Sequence, residues 1–204
     1  MSTPQLAAVL LAGGSSQRMG QDKALLPVNG FRHLGERNWQ QLIDLKPTVL
    51  WLSRQTHQAE LGLSAPDGCH YKILTDDISD AGPLAGIQAA VKAALNDQID
   101  ELILLPVDMP HIRSQDLQQL ISSGRAANKA ACYQQDSLPI CLPLYLPVSQ
   151  ELLHWLNEQL QNPAARRSVG SLIHTFASVQ LPSPGKHALT NTNTPDEWAK
   201  YARY

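Results

Sequence analysis

The chain has 204 residues, a formal charge of −2 and 43% hydrophobic content, enough for one α/β domain with a substantial core. The near-neutral balance argues against a nucleic-acid or anionic-membrane partner, and no apolar run approaches the roughly 18 residues that span a bilayer. Cys69, Cys132 and Cys141 show no CxxC spacing and read as free thiols in a reducing cytoplasm.

The first element is the apolar run Leu6–Ala12. It has no polar alternation, which suits a strand buried on both faces in a parallel sheet. The preceding MSTPQ carries no basic segment, so the run reads as this strand rather than as a secretion signal. Gly13-Gly14-Ser15-Ser16 breaks the run, and Arg18, Gly20 and Lys23 follow. Paired glycines let a backbone approach a ligand closely, and consecutive N–H groups in such a turn can cradle an anion. The same letters also serve an ordinary tight βα turn. Neither G-x-x-x-x-G-K-[ST] nor G-x-G-x-x-G is present, which excludes those two phosphate motifs.

Residues 24–30 read as a short extended piece ending at Asn29-Gly30. Leu34–Leu45 reads as a helix with Leu34, Trp39, Leu42 and Ile43 inward. Thr48–Leu52 is a second strand, with Ser53-Arg54 at its end, and residues 55–70 form a loop. Tyr71–Leu74 is a third strand that runs into an acidic loop holding Asp76, Asp77 and Asp80. Gly82-Pro83-Leu84-Ala85-Gly86 opens a helix to about Leu95, with Pro83 suited to the first turn. Glu101–Leu105 is the fourth and most apolar strand, and Pro106-Val107-Asp108-Met109-Pro110 ends it stiffly. A helix from Gln115 to Ser122 is expected to start on a Ser114 cap. Lys129–Tyr133 and Pro139–Leu146 read as strands around a turn near Asp136. Further helices are expected after Ser149 and over Ser168–His174, with a strand over Ala177–Leu181. A last helix begins at Pro195 under a Thr194 cap.

Strand–helix alternation through Leu120 implies a mostly parallel, three-layer α/β sandwich. No repeat or linker divides it, so one domain over 1–204 is expected. In such sheets ligands bind beyond the C-terminal strand ends, at a topological switch point. Asp108 follows the most buried strand and is the candidate metal ligand, because Mg²⁺ takes one or two carboxylates plus phosphate oxygens and water. The seven histidines form no H-E-x-x-H or H-x-x-x-H pair, so neither motif supports catalytic zinc.

The pattern LAGG-SS-x-RMG-x-DK-ALL resembles the opening of the molybdenum cofactor guanylyltransferases, within the nucleotidyltransferases that activate phosphorylated small molecules. GPLAG, PVDMP and TNTNTP resemble later elements of the same family. The resemblance is poor over Phe31–Gln41 and Leu144–His187. It implies a Rossmann-like sheet of the nucleotide-diphospho-sugar transferase type, with a nucleotide-binding half at about 1–112 and an acceptor-binding half at about 113–204, a cytoplasmic enzyme, and Mg²⁺-dependent GMP transfer from GTP to molybdenum-molybdopterin. By the resemblance, Arg18, Lys23 and Asp108 carry catalysis, with Asp108 on the metal. The nucleotide would meet Leu11, Ala12, Gly13, Gly14, Lys23, Ser53, Asp76, Gly82, Gly86 and Asp108. Asn191 and Asn193 would lie on the acceptor side, and Arg166-Arg167 is a further candidate phosphate contact. Ser53 departs from the asparagine that is common there. Transient contact with molybdoenzyme apoproteins or cofactor-biosynthesis proteins is a further implication. Two other readings stand beside this one. The chain could use CTP or a sugar or polyol phosphate, or it could be a non-catalytic cofactor carrier.

Overall fold

A computed structural model of the chain describes residues 3–14, 19–75, 82–135, 138–162, 164–165 and 167–201. Among the described residues seven strands form one sheet: β1 (Leu6–Leu11), β2 (Val49–Ser53), β3 (His70–Leu74), β4 (Glu101–Pro106), β5 (Ala130–Gln135), β6 (Leu138–Pro147) and β7 (Ser178–Pro182). Their order is β3-β2-β1-β4-β6-β5-β7. β6 runs antiparallel to both of its neighbours, while the other pairings are parallel. The α-helices among the described residues are α1 (Leu34–Ile43), α2 (Pro83–Asn96), α3 (Ser114–Ala127), α4 (Gln150–Gln161), α5 (Val169–Thr175) and α6 (Pro195–Tyr201).

The period of two along β1 explains the layers. Leu6, Ala8 and Leu10 face one core with α1 and α3, through Leu34, Trp39, Leu42, Leu117, Leu120 and Ile121. Ala7 and Val9 face the other core with α2, α4 and α5, through Ile87, Val91, Leu156 and Leu172. Both faces being covered, β1 and β4 tolerate no polar residue between their ends. Among the described residues no helix is long and apolar enough to cross a membrane. The three cysteines are free thiols.

Several local expectations need correction. Ala24 and Leu25, expected extended, are not; Lys23–Leu25 is a 3₁₀ turn, capped by Asp22 Oδ1, which accepts the Ala24 N–H at 3.0 Å. Helix α1 starts at Leu34 although no Ser, Thr, Asp or Asn precedes it. His33 replaces such a cap: Nδ1 accepts the Glu36 N–H at 3.0 Å, which leaves Nε2 to donate to Leu61 O at 2.9 Å. Ser114 is not a cap but the first residue of α3. The Asp116 carboxylate reaches back to the Arg113 N–H at 3.0 Å and pairs with its guanidinium at 3.1 Å, so the helix enters one residue earlier. It also runs five residues beyond Ser122 and stops at Asn128 in the left-handed conformation, φ 50°. Leu153, expected inward with the other α4 leucines, is only partly buried.

Candidate functional site

The chain goes from β1 outward to β2 and β3, then returns to place β4 on the other side of β1. The C-terminal ends of β1 and β4 are therefore the switch point, where diverging connections leave a crevice. Three segments close on it. The first leaves β1: the Ala12 N–H donates to Ser53 O at 2.9 Å, and Gly13 and Gly14 follow, with Gly14 exposed. The second is the turn after β4, tied to β1 by the Val107 N–H on Leu11 O at 3.0 Å. The third is the C-terminal strap before α6. Thr192, fully buried, donates both its N–H (2.9 Å) and its hydroxyl (3.2 Å) to Asp108 O.

These ties bring three side chains together from positions far apart in sequence. Lys23 Nζ donates to Asp108 Oδ2 at 3.0 Å and to Asn193 Oδ1 at 2.6 Å. The Lys23 and Asp108 side chains keep 15% and 18% of their exposure, so the pair lies at the rim of the crevice rather than under it. Asn193 is fixed from behind. Glu197 Oε2 accepts the N–H groups of Asn193 (2.6 Å) and Thr194 (3.0 Å), while Thr194 Oγ1 accepts the Glu197 N–H at 3.3 Å. That reciprocal capping box starts α6.

The other expected residues divide. Gly82 has φ +63° and ψ −159°, a combination open essentially to glycine alone, and so turns the chain into α2. A Cβ on Gly86 would stand 2.7 Å from Ser53 Oγ and 3.3 Å from Leu11 Cδ2. Glycine there lets the first turn of α2 lie against the ends of β1 and β2. Ser53 is 2% exposed, and its side chain forms part of the floor beneath α2. Asn191 is exposed beside Thr192. Arg18, Asp76 and Arg166 lie outside the described residues.

The structure also identifies contributors that motif reading missed. Asn38, fully buried on α1, donates from Nδ2 to Val107 O at 3.0 Å. Arg37 Nη1 holds the amide oxygen of Asn38 at 2.8 Å, which sets the amide's orientation. Burial pushes the Arg37 guanidinium down to about 10, and Asp116 opposes that shift. The Asp108 turn is thus gripped from β1, α1 and the C-terminal strap. An asparagine on an otherwise apolar helix face was the available signal. Arg54, 3% exposed, is a second contributor. It donates to Ala12 O at 3.4 Å and Ala59 O at 2.8 Å, and pairs with Asp22 at 2.5 Å.

A family model, the MobA-like NTP transferase domain, matches residues 8–176. The chain belongs to this family. As a MobA-like protein it is a nucleotidyltransferase, with the fold of the nucleotide-diphospho-sugar transferases. It is similar to a molybdenum cofactor guanylyltransferase of Xanthomonas euvesicatoria pv. vesicatoria, 29% identical over 194 residues that cover 94% of this chain and 92% of the relative. The molybdopterin-guanine dinucleotide biosynthesis protein A of Archaeoglobus fulgidus has the same fold, with TM-score 0.73, 19% identity and 96% of each chain covered. So does the 4-diphosphocytidyl-2C-methyl-D-erythritol synthase of Anaerococcus prevotii, with TM-score 0.73, 12% identity and 98% of each chain covered. Fold likeness alone therefore does not choose between guanine and cytosine.

Proposed function

We propose that this MobA-like chain transfers GMP from GTP to molybdenum-bearing molybdopterin, releasing pyrophosphate and forming a molybdopterin guanine dinucleotide. The observation that carries the reading is the convergence of Lys23, Asp108 and Asn193 at the switch point. The choice of acceptor and base rests on the whole-chain similarity to a relative named for that reaction.

The residues fit a magnesium ion. Asp108 Oδ2 and Asn193 Oδ1 are hard oxygen donors, and both already hold one cation, the Lys23 ammonium. Asp108 would hold Mg²⁺, with phosphate oxygens and water as its other ligands. Bound there, the ion supplies neutralisation of the charge that grows on the phosphate oxygens.

The attacking group is the terminal phosphate of the acceptor, already ionised, so no general base is required. It forms a bond to the α-phosphorus of GTP while the bond to the β-phosphate oxygen breaks. The work of the chain is positioning and charge. Lys23 supplies a cation to the triphosphate, and the amides of Gly13 and Gly14 face phosphate oxygens. Gly82 and Gly86 keep the first turn of α2 close to the nucleotide's side of the sheet.

The test is calorimetry with GTP, CTP, ATP and UTP in the presence of Mg²⁺, followed by pyrophosphate release with GTP and molybdenum-loaded molybdopterin. GTP should bind at least tenfold more tightly than the others, a difference of about 1.4 kcal/mol. Equal affinity for all four would remove guanine from the reading. Tight cofactor binding without pyrophosphate would favour a carrier instead.

A further inference from the structure

We propose that Arg54 is a positioning residue for the triphosphate, acting through Asp22 on Lys23 and through Ala12 on the glycine turn. The inference rests on the nucleotide-binding reading above, but its observations are independent of the Lys23–Asp108–Asn193 cluster.

Arg54 follows β2 directly and is 3% exposed, yet no substrate phosphate could reach a guanidinium so enclosed. Its donors instead join three separate segments. Nη1 meets Ala12 O at 3.4 Å, where the glycine turn begins. Nε meets Ala59 O at 2.8 Å, in the loop between β2 and β3. Nη2 pairs with Asp22 Oδ2 at 2.5 Å. Asp22 then uses its second oxygen on the Ala24 N–H at 3.0 Å, which closes the 3₁₀ turn around Lys23. The backbone that carries Lys23 and the backbone that opens the glycine turn are thus referred to one rigid, planar group. Lysine could not replace it, because an ammonium is a point charge without the fork that reaches three fixed acceptors.

The placement also explains the dipeptide Asp22-Lys23. Enclosing a guanidinium is costly unless a carboxylate and further acceptors compensate it. Asp22 provides that compensation, and its own side chain keeps 20% exposure. The ion pair therefore sits at the edge of the site, where a change in it moves Lys23 before it disturbs either core. A shift of about an ångström in a charged group can cost far more than its lost contact energy.

The experiment uses the full chain and the variants Arg54→Gln, Arg54→Lys and Asp22→Asn, each alone and combined with Lys23→Ala. Asp22→Asn keeps an oxygen for the Ala24 N–H while removing the charge, so it carries the test if Arg54→Gln fails to fold. GTP dissociation constants are read by calorimetry with Mg²⁺. Each single variant should weaken GTP about tenfold, Arg54→Lys should resemble Arg54→Gln, and Asp22→Asn added to Lys23→Ala should cost less than a further twofold, whereas Arg54→Gln keeps the part of its effect that runs through Ala12. Unchanged affinity, or full multiplication of the Asp22→Asn and Lys23→Ala effects, would overturn the proposal. Hydrogen exchange without nucleotide separates this outcome from failure of the functional reading. If the parent chain does not bind GTP, the nucleotide assignment fails. Faster exchange confined to residues 12–14 and 19–26 would still uphold the positioning role. Unchanged exchange, or equal acceleration through β1 and β4, would reject it.

Discussion

Strand β4 carries a carboxylate at its first residue and another two residues past its last, and their surroundings differ in kind. Glu101, at the N-terminal end, is 3% exposed. It accepts Arg125 Nε at 2.8 Å, a second bond from Arg125 Nη2, and the Tyr145 hydroxyl at 2.6 Å. Asp108, beyond the C-terminal end, meets one ammonium among the described residues, that of Lys23 on a flexible stem, and it is the turn's backbone that is fixed from several sides. At Glu101 the side chain is saturated and its partner is a rigid fork. At Asp108 the main chain is immobilised and the carboxylate faces an exchangeable cation. The comparison teaches how the two ends of one strand differ: the closed end anchors β4 to α3 and β6, and the open end leaves the Asp108 carboxylate partly exposed beside Lys23.

The sharpest break in this contrast is Asp108→Ala. It should lower turnover about 10³-fold, the scale of losing one preorganised charge-stabilising group, while the urea midpoint moves little. Pyrophosphate release and equilibrium unfolding measure the two halves. Magnesium-dependent turnover that survives would end the metal assignment. At the other end of β4, Arg125→Ala should cost about 3 kcal/mol of stability, at the low end for a broken buried pair because Arg125 itself reaches solvent. The same variant, once folded, should keep its affinity for GTP. Altered affinity with unaltered stability would reverse the roles assigned to the two ends.

A smaller effect is expected from Lys23→Ala, which should weaken GTP binding by about 1.5–3 kcal/mol, the worth of a hydrogen bond to a charged group. Calorimetry reads it directly, and an unchanged dissociation constant would remove Lys23 from the triphosphate site. The mildest test uses pH. Burial, joined by the hydrogen bond to Glu101, raises the Tyr145 hydroxyl above its ordinary value of 10.0, and burial also raises Tyr133. Both phenols are neutral when folded, so their contribution to stability is intact below pH 10. It is lost as the pH climbs past that value toward their higher folded ones. The urea midpoint should therefore fall between pH 9.5 and pH 11, and Tyr145→Phe should shallow the slope. An identical slope in that variant would show that Glu101 is not coupled to the phenol.

The strands were legible because a buried parallel strand leaves an unmixed apolar run: Leu6–Leu11 and Glu101–Pro106 differ by at most one residue from expectation. Helix α6 was equally plain, since Thr194-Pro195 and Glu197 spell a capping box. The start of α3 was not, and α1 was read from Leu34 without its cap. Their caps come from His33 and from the Asp116 carboxylate reaching back, choices that depend on Leu61 O and on the Arg113 side chain being nearby. In the site, Lys23, Asp108 and Asn193 could each be named from motifs, but their contact could not. Asn38 stood out only as an asparagine on an apolar helix face and Thr192 only as a letter of TNTNTP; neither told which distant carbonyl it would meet.

The residue order by itself determined which segments are strands and which face of each helix is apolar. These follow from periodicities of 2 and 3.6 and from backbone chemistry that acts within a few residues. Only the tertiary structure decided that β4 lies beside β1, that the C-terminal strap returns to grip Asp108 O, and that Arg54 joins Ala12 to Asp22. Those relations span from about 30 to 95 positions of sequence. They arise from packing both faces of one sheet, a condition on the whole chain that no local stretch can express.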